Sequence, residues 1–182
     1  MTVKAPRVLR EEGGFTLIEL LTVLAMLVIV VTTLSSVLIE AENAESEMNR
    51  RFTSQVNARI ALDGLRREIH CATSVTPTGA SSSITIVLGS RCPFAGGSTV
   101  KWCTVGSASQ YALYRTTAAS CDSTGKKVAD YLTTGTIFNF TAQSTSSLAY
   151  LSVTLPVNSK PSTSLPDYTL QDDIVLRNSS RS

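Results

Sequence analysis

The chain has few of the residues that catalytic and metal sites require. Among its 182 residues there is one histidine, His70, and the four cysteines contain no Cys-x-x-Cys pair. There is no nucleophile motif and no pair of carboxylates at a suggestive spacing, so we expect no enzyme, no metal site and no cofactor. The net charge of +2, with dispersed Lys and Arg, does not indicate nucleic acid as a partner, although it does not exclude one.

Proline is also missing over a long stretch, between Pro6 and Pro77, so nothing there forces a helix to stop. Residues 20–31 are apolar apart from one threonine, and apolar residues mixed with Ser and Thr continue to Ile39. A helix over residues 15–39 is long enough to cross the hydrocarbon core of a bilayer, which is roughly 30 Å thick. We therefore predict a membrane-embedded helix in this segment.

The helical pattern continues beyond the apolar segment. Favourable i,i+4 charge pairs are expected between Glu47 and Arg51 and between Asp63 and Arg67. We predict that the helix extends through residues 40–72 and buries an apolar stripe outside the membrane. The stripe consists of Ala41, Ala44, Met48, Phe52, Val56 and Ile60, continued by Ala61, Leu65 and Ile69.

The rest of the chain, residues 73–182, has the pattern of a sheet. After a predicted loop at 73–83, short runs of β-branched and aromatic residues alternate with polar turn segments. Alternation in the run 147–157 predicts that its odd-numbered residues from Ala149 to Leu155 face the core. A helix followed by closely spaced strands predicts an α+β fold, in which the long N-terminal helix packs on an antiparallel sheet. The predicted strands cover residues 83–89, 99–105, 110–117, 128–134, 136–141, 147–157 and 168–177.

Charges around the apolar segment predict its orientation. Three basic residues precede it, namely Lys4, Arg7 and Arg10. They predict that residues 1–14 stay in the cytoplasm and that the chain after Ile39 is exported. One acidic residue, Glu19, lies inside the apolar segment with no basic residue nearby. A charge near the bilayer centre costs roughly 2.5–3.5 kcal/mol, which a simple anchor has no reason to carry.

The residues around Glu19 carry a family resemblance. "GGFTLIELL" (13–21), after a basic leader and before a bilayer-length apolar run, resembles the processing site of type IV prepilins and type II secretion pseudopilins. The resemblance implies that an inner-membrane prepilin peptidase cleaves between Gly14 and Phe15, and that Phe15 is then N-methylated. It also implies that Glu19 of an incoming subunit faces the α-amine of Phe15 in the preceding subunit, so that this charge pair favours assembly.

The same resemblance implies an organisation, a location and partners. Residues 1–14 are expected to be a cleaved leader, 15–39 the transmembrane and assembly helix, 40–72 its amphipathic continuation, and 73–182 a disulfide-stapled, β-rich globular domain. A prokaryotic single-pass membrane protein is expected, which later joins an extracellular or periplasmic filament. Its expected partners are the membrane, the peptidase, an inner-membrane assembly platform, and other pilin subunits that it contacts through the helix.

Two later segments carry a weaker resemblance. "YALYR" (111–115) and "DDIVLRN" (172–178) resemble parts of minor pilins and J-type pseudopilins. They imply a structural minor pilin that supports filament assembly, adhesion or DNA uptake. Two alternatives stay open: a minor pseudopilin of a type II secretion system, and a membrane-anchored adhesin or binding domain. An ordinary secretory signal, cleaved near Ser36 or Ala41, is disfavoured because the apolar run is long and Glu19 interrupts it.

Two groups of residues offer alternative ligand sites. Candidate calcium ligands are Asp167, Asp172 and Asp173. Adjacent aspartates on a strand point to opposite faces, which does not suit a calcium loop. A candidate aromatic platform for a sugar consists of Trp102, Tyr111 and Tyr114. Such residues more often pack a pair of strands, so we expect neither site.

The four cysteines lie in the segment predicted to be exported, which predicts two disulfides in an oxidising compartment. They are Cys71, Cys92, Cys103 and Cys121. If the runs 99–105 and 110–117 form a hairpin, residues whose numbers sum to about 215 lie opposite one another. This weakly favours Cys92–Cys121 together with Cys71–Cys103, because Cys92 and Cys121 then meet at the hairpin base. The alternative joins Cys71 to Cys92 and Cys103 to Cys121.

Overall fold

A computed structural model describes residues 14–93, 98–161 and 167–177 of the protein. Residues 1–13 of the predicted leader and the last residue of the "LRN" segment, Asn178, lie outside the described residues. The chain divides into two compact units after Ser46, and each unit is described by itself below.

A single long helix, α1, covers Leu17–Cys71. Both ends agree with the predicted helix to within two residues. The side chains of residues 14–46 are all exposed, including the whole apolar segment up to Ile39. By length and composition, α1 is long and apolar enough to cross a membrane.

The second half of α1 buries a different face from the one the sequence predicted. Its buried residues are Ser54, Ala58, Ala61, Leu62, Leu65, Glu68 and Ile69. The predicted stripe is therefore right for its last three members but wrong for Met48, Phe52 and Ile60, whose side chains are 69%, 66% and 63% exposed. Successive steps of four residues each rotate by about 40° around a helix, so this row winds away from the sheet. Mixed steps of three and four keep the buried residues on one side.

The strands form one antiparallel sheet behind this half of the helix, so the α+β fold is confirmed. The order is β1-β3-β4-β5-β6-β8-β7-β2, with β9 paired to β8. The described strands are β1 Ala72–Thr76, β2 Gly79–Ser81, β3 Ser83–Leu88, β4 Thr99–Ser107, β5 Gln110–Thr116, β6 Lys126–Leu132, β7 Phe138–Thr141, β8 Tyr150–Val157 and β9 Tyr168–Val175.

All the strands that the sequence predicted are present, and two further short strands join them. β2, and β1 apart from its first residue, lie in the segment 73–83 that the sequence predicted to be a loop. β1 pairs with β3 and β2 pairs with β7, so tertiary pairing overrides the turn-forming composition there.

The core lies between the second half of α1 and the sheet. The predicted inward face of β8 is confirmed, because Ala149, Leu151, Val153 and Leu155 are at most 3% exposed. They belong to one buried cluster with residues of α1, such as Leu65, and with Trp102 of β4. Burial of aliphatic side chains at this level stabilises a fold by roughly 1.5–3 kcal/mol per residue.

The disulfides correct the favoured pairing. The structure joins Cys71 to Cys92 and Cys103 to Cys121, with Cα–Cα distances of 5.6 and 6.2 Å. Cys92–Cys121 and Cys71–Cys103 are therefore wrong, and the alternative pairing is the one observed.

The physical reason for the correction is the position of β3. The β4–β5 hairpin forms as predicted, with Ser107 opposite Gln110. However, β3 pairs with the opposite edge of β4, so the chain after Leu88 stays beside the end of α1. Gly89 N–H donates to the carbonyl of Cys71 at 3.0 Å. A Cβ at Gly89 would lie 3.1 Å from the same oxygen, so the absent side chain permits this close approach.

Candidate functional site on the N-terminal helix

The predicted processing site lies immediately before α1. Gly14 is exposed, and no other group would lie within 4 Å of a Cβ at this position among the described residues. The side chain of Phe15 is 82% exposed. Gly14 and Phe15 are thus both exposed among the described residues.

The start of α1 reveals a second role for Glu19. Thr16-Leu17-Ile18-Glu19 has the Thr-x-x-Glu pattern of a capping box. Glu19 N–H donates to Thr16 Oγ1 at 3.4 Å, which partly satisfies one of the free amides of the first turn. A negative side chain in the first turn also interacts favourably with the helix dipole. Capping accounts for a polar residue at this position, but glutamine fills the same position in capping boxes.

No ion pair is available to the Glu19 carboxylate within the part of the chain that the structure describes. Apart from Thr22, the side chains that follow it up to Val31 are apolar, and all of them are exposed, such as Leu24 at 52% and Met26 at 69%. A continuous apolar surface of this kind is not stable in water and requires lipid or protein around it. Among the described residues, the structure therefore shows a carboxylate without an ion-pair partner at the start of an exposed apolar segment.

A second glutamate of α1 lies on an apolar face and does have partners. Glu68 is 6% exposed, and it accepts hydrogen bonds from Trp102 Nε1 at 2.6 Å and from Arg115 Nε at 2.7 Å. Both carboxylate oxygens are thus bonded, and the charge is paired with a guanidinium. This cluster joins α1 to β4 and β5. We did not predict it from the sequence, although a carboxylate between the buried Leu65 and Ile69 was a usable signal.

Polar contacts also join α1 to the last strand, β9. Arg66 bonds Asp172 through Nη2 at 2.8 Å and through Nε at 3.1 Å, and Arg59 Nη2 donates to the hydroxyl of Tyr168 at 2.7 Å. The hydrogen bond and charge of Asp172 raise the pKa of the Arg66 guanidinium above its ordinary value. These contacts hold the C-terminal strand against the helix.

A third cluster surrounds Glu47. Arg51 Nε lies 2.9 Å from Glu47 Oε1, which confirms the predicted pair, and Lys160 Nζ lies 3.1 Å from Glu47 Oε2. Hydrogen bonding by Arg51, followed by Lys160 and Ser159, lowers the pKa of Glu47 to about 2. The other predicted i,i+4 pair is wrong.

The error concerns Asp63. Its carboxylate pairs with Arg66 at 3.3 Å rather than with Arg67. Arg66 is oriented towards the sheet by Asp172 and can reach Asp63 from the same position. Residues three apart on a helix are neighbours just as residues four apart are, so the competition is decided by the contact with β9.

The candidate calcium ligands are occupied by other contacts. Asp172 pairs with Arg66, Asp173 accepts from the hydroxyl of Ser152, and Asp167 accepts from Asn158 at 3.0 Å. Within residues 14–93, 98–161 and 167–177, no group of three or more His, Cys, Asp or Glu side chains could hold a metal ion.

The candidate aromatic platform does not form. Trp102 is 2% exposed and packs beneath Gly64 of α1, where a Cβ would lie 3.7 Å from its ring. Tyr111 and Tyr114 are half-buried on β5. Because its ring is covered, Trp102 is a core residue and offers no face to a sugar.

Comparison with known proteins adds no relative. No family model, curated protein or solved structure matches the chain. What the structure provides is one long apolar N-terminal helix and an antiparallel sheet packed against its second half, an arrangement that is compatible with a pilin-like fold.

Proposed function

We propose that the protein is a structural subunit of a type IV pilus or a related filament, present as a minor component. In this proposal a prepilin peptidase cleaves between Gly14 and Phe15 and N-methylates Phe15. The observation that carries the proposal is the lone carboxylate of Glu19, which follows the Gly-Phe sequence at the start of a bilayer-length apolar helix.

The charge of Glu19 supports filament formation more than simple anchoring. In the hydrocarbon core of a bilayer its charge is unfavourable, by up to roughly 2.5–3.5 kcal/mol at the centre. Capping of α1 does not require the charge, because glutamine would serve. A buried charge left alone is strongly penalised, whereas a paired one is tolerated. In the proposed filament the α-amine of Phe15 in the preceding subunit supplies the partner. Since it carries Glu19, the subunit is not expected to be confined to the extreme tip, where no preceding amine exists.

The proposed location follows from the helix and the cysteines. Before assembly the protein is a single-pass membrane protein with residues 1–14 in the cytoplasm and the β-rich domain outside. The two disulfides support an oxidising location for that domain. After assembly the domain belongs to a periplasmic or extracellular filament.

The role is structural rather than catalytic, and two related assignments compete with it. A minor pseudopilin of a type II secretion system carries the same kind of N-terminus, so the machine is identified by its other proteins. A retraction ATPase encoded beside this protein favours a pilus, and a set of secretion-channel proteins favours export. A membrane-tethered adhesin is the other alternative, and it does not require the Glu19 charge.

Processing tests the proposal directly. Intact-mass measurement and N-terminal sequencing of protein from membranes should give a chain that begins with N-methyl-Phe15. Gly14→Val should block cleavage by crowding the peptidase site, whereas Gly13→Val, one residue earlier, is the matched control and should be processed. A mature start near residue 37 or 42 identifies a secretory signal instead. Normal processing of the Gly14→Val protein also contradicts the assignment.

A further inference from the structure

A cleft of about 270 Å³ opens beside the Glu68 cluster. It is lined by Gly64, Arg67 and Glu68 of α1 and by Arg115 of β5. This volume lies just below the range of about 300–1,000 Å³ that is typical of sites for small molecules. The cleft is separate from the apolar segment and from Glu19, on which the proposed function depends.

Two guanidinium groups at this cleft have donors to spare. Arg67 is exposed and makes no ion pair or side-chain hydrogen bond with any residue that the structure describes. Arg115 uses its Nε on Glu68, and its side chain is 27% exposed. Its two terminal nitrogens make no further bond with the described residues. Guanidinium groups with unused donors bind planar oxyanions by charge-assisted hydrogen bonds.

The contact between Gly64 and Trp102 does not require a glycine. A Cβ at this position would lie 3.7 Å from the Trp102 ring, which is an ordinary van der Waals contact. Alanine would therefore fit, and it is the more stable residue in the middle of a helix. Gly64 is therefore neither required for space nor favourable for the helix. Because it lines the cleft together with two arginines, we infer that its missing side chain leaves room for a ligand.

The charge of the cleft selects the kind of anion. Its lining contains two arginines and one carboxylate, Glu68, whose oxygens are both already bonded. The local net charge of one positive matches a monoanion better than a doubly charged phosphate. We propose that the cleft binds the carboxylate of a small molecule about the size of an amino acid or a sugar acid. The carboxylate lies between Arg67 and Arg115, and the body of the ligand covers Gly64. This binding does not depend on filament assembly.

Trp102 provides the measurement, because it is the only tryptophan of the chain and is bonded to Glu68 beneath Gly64. Its fluorescence is followed while full-length protein in detergent is titrated with D-galacturonate, with N-acetylaspartate amide, with galactose and with inorganic phosphate. A saturable change is expected with a carboxylate and none with galactose, which lacks the charge. A response to galacturonate alone identifies a sugar acid, and a response to the aspartate derivative alone identifies an acidic amino acid.

Variants test whether the two arginines form a specific binding site or are only solvated surface charges. Arg67→Gln should weaken binding by roughly tenfold, because a hydrogen bond to a charged group is lost. Arg50→Gln removes another exposed arginine of α1 and should leave binding unchanged. Gly64→Ala should abolish binding without lowering the thermal midpoint. Any one of four results would overturn the proposal. They are no saturable response to either carboxylate, unchanged binding by Gly64→Ala, equal effects of the two arginine variants, and phosphate binding as tight as carboxylate binding.

Discussion

Each half of α1 carries a glutamate on an apolar surface, and the two carboxylates differ in whether they have bonding partners. Glu68 is buried, and its two oxygens are bonded by Trp102 and Arg115 from the sheet. Glu19 lies among exposed apolar side chains and has no ion partner in the part of the chain that the structure describes. Burial of a carboxylate is stable only with such partners, so in the proposed filament Glu19 requires a partner from another molecule.

The largest expected effect is on filament incorporation by Glu19 variants. Glu19→Ala should reduce the protein in sheared filaments by roughly a hundredfold or more, since loss of one member of a buried charge pair costs about 3–5 kcal/mol. Glu19→Gln should fail in the same way although it can still cap the helix. Immunoblots of filament and membrane fractions measure both, with Glu45→Ala as an exposed control on the same helix.

These variants also separate capping from charge pairing. Wild-type incorporation of Glu19→Gln combined with failure of Glu19→Ala would assign Glu19 to the helix cap alone. Normal incorporation of both variants would contradict the proposed pairing with the Phe15 amine.

Glu68→Ala should lower the free energy of unfolding, whereas the protein that remains folded should still assemble. It leaves Trp102 Nε1 and Arg115 without their acceptor, and we expect a loss of roughly 3 kcal/mol in the free energy of unfolding, at the low end for buried pairs because Arg115 is 27% exposed. Urea denaturation followed by circular dichroism measures the loss. Glu42→Ala, at an exposed position of α1, is the control and should change stability by less than about 0.5 kcal/mol.

Removal of the Cys71–Cys92 bridge should destabilise the end of α1. The double variant Cys71→Ala/Cys92→Ala opens a loop with a sequence separation of 21, for which we expect a loss of about 3 kcal/mol. Denaturation of the oxidised protein measures it. Peptide mapping without reduction should recover Cys71 linked to Cys92 and Cys103 linked to Cys121; any other linkage contradicts the structure.

Acid should weaken the Glu47 cluster within a defined pH range. Because contacts with Arg51, Lys160 and Ser159 lower the pKa of Glu47 from 4.5 to about 2, its charged form contributes stability above about pH 4.5. This contribution is lost as the pH falls from 4.5 towards 2. Glu47→Gln should flatten the decline of the urea midpoint over that range. An identical pH profile for the variant would show that other carboxylates cause the decline.

The smallest expected effect is a gain in stability. Gly64→Ala should stabilise the domain by about 0.5–1 kcal/mol, because alanine is favoured over glycine within a helix and its methyl group meets only an ordinary contact with Trp102. Thermal unfolding measures the change. A lower midpoint would indicate that the contact at Gly64 is tighter than the 3.7 Å distance implies.

The sequence predicted the elements of this fold better than their contacts. The limits of α1 and the alternating burial of β8 depend on local periodicity, which the sequence displays directly. The buried face of α1 was predicted less well, because Met48, Phe52 and Ile60 form a regular row that continues from the apolar segment but turns to solvent. Which of two apolar rows is buried depends on where the sheet lies, and periodicity does not contain that information.

The candidate sites show the same difference between features set by local sequence and contacts between distant residues. Gly14, Phe15 and Glu19 lie close together in the sequence, so a local motif is enough to propose them as a site. The Glu68 cluster joins residues 34 and 47 positions apart, and the disulfide pairing depends on which edge of β4 accepts β3. Such contacts are set by strand order, which hairpin geometry alone did not supply.

The disulfides close two stretches that follow one another along the chain without overlapping, 71–92 and 103–121. In the proposed topology the domain is exported with its N-terminal part first, so Cys92 is the first thiol to emerge after Cys71. That pair can be complete before Cys103 and Cys121 appear. An oxidase that joins cysteines in their order of emergence therefore produces the native bridges directly, and maturation needs an oxidant but no enzyme that reshuffles mispaired thiols.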